Sequence, residues 1–140
     1  MDDRHAQLLR RAFLVGVVTD ALALIPMLSP PLARALWGFE DVSGAYRFAM
    51  GYGAALMLGW TALLLWAYRR PLERRGVAAL TVLVIYGLVT AEIVAVASGD
   101  LAAWRMIPTW GLQAILLGLF VTAYHFPLLS RRAPRWVGVA

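Results

Sequence analysis

The sequence lacks cysteine, and all of its 13 Lys+Arg residues are arginine, so lysine is absent too. Without cysteine there are no disulfides, thiolate nucleophiles or Cys-ligated metals. Without lysine there is no Schiff base to retinal or pyridoxal phosphate. Only 15% of residues are charged and 61% are hydrophobic, whereas a soluble domain is about 25% charged. Such a chain has too few polar residues to cover a water-facing surface and needs lipid around it.

Motifs for catalysis and cofactor binding are also missing. The sequence has no Gly-rich phosphate loop, no nucleophile elbow and no zinc-ligand spacing. Its two histidines, His5 and His125, lie near the ends of the chain, so no internal pair of haem ligands is available. We therefore expect no catalytic residue, metal or cofactor. The net charge of +5 comes from arginines beside apolar spans, and we expect no nucleic-acid partner.

Four apolar stretches dominate the sequence. Because a helix rises about 1.5 Å per residue, roughly 20 apolar residues cross the hydrocarbon core of a bilayer. The stretches are continuous, without the alternation of barrel strands, and only helices or closed barrels satisfy their backbone groups in lipid. The chain is thus predicted to be one all-α transmembrane domain, 1–140, a four-helix bundle. Its predicted spans are about 12–28, 45–68, 77–97 and 106–129.

Arginine is distributed unequally between the two sides of this predicted bundle. Ten arginines flank the side on which the chain starts and ends: Arg4, Arg10, Arg11, Arg69, Arg70, Arg74, Arg75, Arg131, Arg132 and Arg135. The opposite loops contain only Arg34 and Arg105. Because arginine concentrates in cytoplasmic loops, both termini are expected in the cytoplasm (N-in/C-in).

The first outer loop, 29–44, is predicted to contain a short helix. Ser29 is a candidate N-cap, with Pro30 and Pro31 in the first turn. Gly38 would end the helix. The apolar face between them predicts a helix that lies flat in the outer membrane interface, either as a plain connector or as a roof over the outer side of the bundle.

Four polar residues interrupt the spans, one in each: Asp20, Arg47, Glu92 and Gln113. Charges in the hydrocarbon are costly, so they usually pair or line water. Given the span directions, all four fall at similar depths in the outer half of the bundle. Asp20 and Arg47 share helix faces with small residues, and small residues also neighbour Glu92, which marks close helix approach. The four are therefore predicted to face one another inside the bundle.

We expect Arg47 to pair with Glu92, with Asp20 close by. One arginine leaves one acid unpaired, and the deeper Asp20 is the candidate for a neutral, protonated side chain. Additional hydrogen bonds are expected from four neighbours: Thr19, Tyr46, Thr90 and Thr109. Two interpretations remain open, a buried ion pair that fixes helix register and a functional polar pocket open to the outside.

A family resemblance rests on three features of the chain's central half. These are the proline-rich first outer loop, Tyr46-Arg47 with Gly51 at the start of the second span, and the inner turn from Arg69 to Arg75. In these features the chain resembles small four-helix bacterial membrane proteins of the DoxX-like kind. The resemblance implies a bacterial inner-membrane location and no agreed activity, and no functional residue is carried over from it.

The polar cluster leads to a first hypothesis of a non-enzymatic membrane protein. It would bind a small amphipathic or lipid-like molecule, or a partner helix, through a pocket formed by Asp20, Arg47, Glu92, Gln113, Tyr46 and Thr109. Membrane lipids and further copies of the chain in a homo-oligomer are the expected partners. The alternatives are an isomerase or proton-transfer enzyme acting on a lipid, and a small proton-coupled transporter.

Overall fold

A computed structural model of the chain describes residues 2–39 and 42–131, which form helices joined by short connections. The helices are α1 (Asp2–Leu28), α2 (Pro30–Trp37), α3 (Gly44–Arg69), α4 (Gly76–Ala97) and α5 (Ala103–Arg131). Four of them, α1, α3, α4 and α5, are long and apolar enough to cross a membrane. The predicted all-helical, four-span architecture is confirmed at this level. Arg132 and Arg135, which entered the orientation prediction, lie outside the described residues.

Helix α1 begins far earlier than the predicted apolar span, which started at Ala12. Its first turns contain charged side chains, among them Arg4, Arg10 and Arg11, all exposed. Hydropathy detects only the part of a helix that matches the hydrocarbon core. A helix that continues beyond the core into the polar region is therefore longer than its apolar stretch.

Helix α2 begins and ends where the sequence predicts. Pro30 and Pro31 occupy its first turn, and Gly38 ends it in the left-handed conformation with φ 81°. The Ser29 side chain makes no cap hydrogen bond, although its carbonyl accepts from the Ala33 N–H at 3.0 Å. A Cβ on Gly38 would lie 2.8 Å from the Arg105 guanidinium. That guanidinium donates to the Arg34 carbonyl at 3.2 Å, which ties α2 to the start of α5.

The four long helices alternate in direction and pack in an open order. Helix α1 lies between α3 and α5, and α4 packs against the far side of α5, whereas α3 and α4 scarcely touch. The turn 70–75 joins α3 to α4 at the end of the bundle where α1 begins; we call this the basic end. Helix α2 lies at the opposite end.

The hydrophobic core is concentrated toward the basic end. Phe13 and Phe120 are fully buried, and their ring centroids are 6.1 Å apart. They pack with residues of all four long helices, including Leu9, Leu64, Ala67, Val77, Ala78 and Ala123. The half of the bundle near α2 is looser, and it contains the polar residues of the spans.

Candidate functional site

The best-defined polar contact inside the spans joins α4 to α5. The Gln113 amide Nε2 donates to Glu92 Oε1 at 2.8 Å. Gln113 is only 7% exposed, and Glu92 is half-buried. Hydrogen bonds to a charged acceptor are about twice as strong as neutral ones, and a low-dielectric surrounding strengthens them further. The packing of α4 on α5 thus holds a carboxylate and an amide together within the spanning segments.

Several polar atoms around this contact are buried and lack a hydrogen-bond partner. They are Glu92 Oε2, Gln113 Oε1 and Trp110 Nε1. Trp110 precedes Gln113 by three residues and therefore shares its face of α5. Its indole N–H interacts with the Glu92 carboxylate without reaching hydrogen-bond geometry. Because buried polar groups are nearly always paired, this cluster retains unused capacity for a proton or a ligand.

The chemistry of this pair suits both charge states of the carboxyl group. An ionised Glu92 needs a donor, which the Gln113 Nε2 group supplies. A protonated Glu92 would need an acceptor, and a half-turn of the same amide would present Gln113 Oε1 instead. The neutral Gln113 amide can therefore form a hydrogen bond with Glu92 in either charge state. We call Glu92, Gln113 and Trp110 the Glu92 cluster.

Arg47 does not form the expected ion pair with Glu92. Its side chain is exposed on α3, and the ion pair found within residues 2–39 and 42–131 is Arg70–Glu73 on the surface. The reason is the helix order, because α3 packs on α1 and scarcely touches α4. Arg47 lies in the first turn of α3, from which a long side chain can extend to the headgroup region.

Asp20 is half-buried on α1. Neither a hydrogen bond nor an ion pair of its carboxylate occurs within the described part of the chain. It shares the looser half of the bundle with Glu92, but the two acids are not joined by a common partner. The predicted four-residue cluster is thus reduced to one contact, Glu92–Gln113.

Four other residues were predicted to donate hydrogen bonds to this cluster. Their side chains either form a hydrogen bond elsewhere or form none within the described residues. Thr90 donates to the Tyr86 carbonyl of its own helix at 2.8 Å. The Tyr46 hydroxyl is buried without a partner, and its ring lies 5.4 Å from that of Phe39. For the half-buried Thr19 and Thr109 the described residues provide no side-chain hydrogen bond. None of the four contributes a hydrogen bond to Glu92 or Gln113.

Sequence reasoning missed a buried histidine at the basic end. His5 is 6% exposed, and its Nε2 lies 3.0 Å from the Ala123 carbonyl of α5. In a helix that carbonyl would accept from residue 127, but Pro127 has no N–H. His5 therefore supplies the missing donor. The sequence did contain this signal, since Pro127 follows Ala123 by four residues and leaves the Ala123 carbonyl without its usual helical N–H donor.

No group of three His, Asp or Glu side chains within the described ranges is placed to hold a metal ion. The Glu92–Gln113 contact places a hydrogen-bonded carboxyl group inside the spans.

Four helices that are long and apolar enough to cross a membrane, two of them joined by a polar contact, indicate a multi-pass membrane protein. The sequence is similar to the Na(+)/H(+) antiporter NhaA of Anaeromyxobacter sp. (strain Fw109-5), with 32% identity over 133 residues. The match covers 92% of this chain but only 26% of the antiporter, so the chain spans about a quarter of that protein's length. No family model matches the sequence, and no solved structure matches it.

Proposed function

We propose that this chain takes part in proton-coupled cation transport, with Glu92 as the group that binds and releases the proton. The observation that carries the proposal is the Glu92–Gln113 hydrogen bond between two membrane-spanning helices. A carboxyl group in a span is costly unless it is paired or functional. The likeness to a Na(+)/H(+) antiporter supports a monovalent cation as the exchanged ion.

In this mechanism the charge on Glu92 controls what the cluster binds. The ionised carboxylate accepts a hydrogen bond from the Gln113 amide, and its negative charge attracts a cation. Uptake of a proton neutralises the carboxyl group, turns the amide to its acceptor side and removes that attraction. Proton and cation then compete for one site, which is the requirement for exchange.

The working unit is further proposed to be a homo-oligomer that is assembled through helix α3. Helix α3 offers a suitable surface, since Gly51, Ala55 and Gly59 recur every four residues and are exposed. Small residues at this spacing permit close approach of a second transmembrane helix.

The proposed membrane placement follows the arginine distribution. The basic end would face the cytoplasm of a bacterial inner membrane, with both termini on that side. Helix α2 would then lie in the outer interface, above the half of the bundle that contains Glu92.

Transport in proteoliposomes tests the proposal. Vesicles loaded with sodium and a pH-sensitive dye are diluted into sodium-free buffer, and sodium efflux should drive protons inward and acidify the interior. Glu92→Gln should abolish the acidification. Glu73→Gln makes the same chemical change at an exposed turn residue and should leave the rate unchanged. Wild-type protein that gives no dye response, or a Glu92→Gln variant that acidifies normally, would contradict the proposal.

A second candidate is the binding of a small amphipathic or lipid-like molecule, or of a partner helix, near Arg47. It is favoured by the Arg47 side chain, which is exposed and unpaired within the described residues, and by the buried hydroxyl of the preceding Tyr46, which has no hydrogen-bond partner. Native mass spectrometry of the purified protein should then detect a specific bound molecule that is lost in Arg47→Ala. Identical bound species in both proteins would exclude it. An isomerase acting on a lipid, which needs a carboxylate within reach of its substrate, stays a prediction of the sequence.

A further inference from the structure

A shallow groove lies between α4 and α5 near the basic end of the bundle. It is lined by Ala79 and Val82 on α4 and by Val121, Tyr124 and His125 on α5. It is separate from the Glu92 cluster, which lies toward the opposite end of the same two helices. We call it the α4–α5 groove.

The lining of the groove changes from apolar to polar along its length. Ala79, Val82 and Val121 present only aliphatic carbon, and the short side chain of Ala79 leaves space between the helices. Tyr124 and His125 bring a hydroxyl and an imidazole, with their ring centroids 5.0 Å apart in an edge-on arrangement. His125 is exposed. This gradient matches a molecule with a hydrocarbon tail and a polar head.

A positive charge stands at the polar end of the groove. Arg75 precedes Ala79 by four residues and therefore lies one turn closer to the basic end on the same face of α4. Two neighbouring cations are already engaged: Arg70 pairs with Glu73, and Arg74 contacts both the Trp66 carbonyl and the Trp66 ring. The exposed Arg75 makes neither an ion pair nor a side-chain hydrogen bond within residues 2–39 and 42–131.

We propose that the α4–α5 groove binds one acyl chain of an anionic phospholipid, whose phosphate is held by Arg75 and His125. Charge complementarity selects the occupant, because a phosphodiester between an arginine and an imidazole gains charge-assisted hydrogen bonds. The arginine-rich turn places the site in the leaflet at the basic end. The proposal is independent of transport, since none of these residues belongs to the Glu92 cluster.

Native mass spectrometry with matched tryptophan variants tests the groove. Protein in detergent is titrated with phosphatidylglycerol, and with phosphatidylethanolamine as a zwitterionic comparison. Ala79→Trp fills the groove and should lower phosphatidylglycerol retention about tenfold, which is the effect expected when a well-packed apolar contact is lost. Leu80→Trp adds the same ring to a neighbouring residue that is 50% exposed and does not line the groove, and it should retain wild-type binding. Equal retention in both variants would show adventitious annular lipid only.

A second pair of variants tests the headgroup contact without altering the groove. Arg75→Gln should lower the preference for phosphatidylglycerol over phosphatidylethanolamine about fivefold, the effect expected of one arginine at an anionic surface. Arg69→Gln removes the same charge from the last turn of α3 and should leave the preference unchanged. An equal loss of this preference in both variants would contradict a specific phosphate site at Arg75 and would indicate general charge attraction. A change of oligomeric mass in Ala79→Trp, with lipid retention intact, would instead identify a second copy as the occupant.

Discussion

Gln113 is the residue on which the environment of the Glu92 carboxylate depends. Its amide supplies the hydrogen bond found for that carboxylate within the described residues, and it does so from a nearly buried position. A buried charge that loses its donor retains the full cost of its desolvation. The stability of the α4–α5 pair and the chemistry of Glu92 are therefore linked through one side chain.

The Gln113→Leu variant tests this link between the stability of the α4–α5 pair and Glu92. We expect the free energy of unfolding to fall by about 1–3 kcal/mol, because Glu92 is left without its donor. The double variant Glu92→Leu/Gln113→Leu should recover much of the loss, since it removes both polar partners. Unfolding in detergent micelles, analysed as a double-mutant cycle, measures the coupling. Additive losses in the two single variants would show that the side chains are independent.

His5 is predicted to stabilise the basic end through the Ala123 carbonyl. His5→Phe keeps an aromatic ring but removes the donor, so we expect a loss of about 1–3 kcal/mol in the same unfolding assay. His5→Gln retains an N–H donor and should therefore lose less stability than His5→Phe. Hydrogen exchange should also reveal faster opening of α1 near its start in His5→Phe. Equal stability of the Phe and Gln variants would show that the hydrogen bond contributes nothing.

At the level of helices, glycine has two different roles. A Cβ on Gly16 of α1 would lie 3.0 Å from both Leu64 of α3 and Phe120 of α5, so this glycine lets three helices approach closely. A Cβ on Gly59 of α3 would meet nothing within 4 Å. The first glycine is part of the core, and the second lies on a surface that is open in the single chain.

Leucine substitutions separate these roles. Gly16→Leu should destabilise the bundle by at least about 1–3 kcal/mol, the usual cost of overpacking, whereas Gly59→Leu should leave the stability of the monomer unchanged. If α3 pairs with a second copy, Gly59→Leu should reduce the oligomer to monomer in native mass spectrometry. An oligomer that survives Gly59→Leu would exclude this face of α3 from the interface, and a stable Gly16→Leu variant would contradict the packing.

The helices themselves are predictable from the sequence because each depends on local properties. Hydrophobic length locates α3 and α4 to within a residue or two, and the sequence from Ser29 to Gly38 defines α2. The start of α1 is not predictable by hydropathy, since its first turns are polar. The Ser29 side-chain cap is also not made, although the Ser29 backbone carbonyl accepts the first hydrogen bond of the helix.

At the scale of the whole molecule, helix order determines which polar residues meet. Depth in the membrane follows from position along a span, and it correctly suggested that Glu92 and Gln113 lie at one level. It does not reveal which helices are neighbours, and the expected Arg47–Glu92 pair assumed contact between α3 and α4. Those two helices scarcely touch, so that pairing was wrong although both residues share the looser half of the bundle.

The four membrane crossings underlie both the Glu92 site and the α4–α5 groove, and cysteine labelling tests them most directly. Because the chain has no cysteine of its own, single cysteines at Asp3, Ala35, Glu73 and Ser98 report their positions without background. With a membrane-impermeant maleimide on intact spheroplasts, Ala35→Cys and Ser98→Cys should be labelled, and Asp3→Cys and Glu73→Cys only after permeabilisation. Labelling of positions 73 and 98 from the same side would contradict the crossing of α4 and remove Glu92 from the membrane interior.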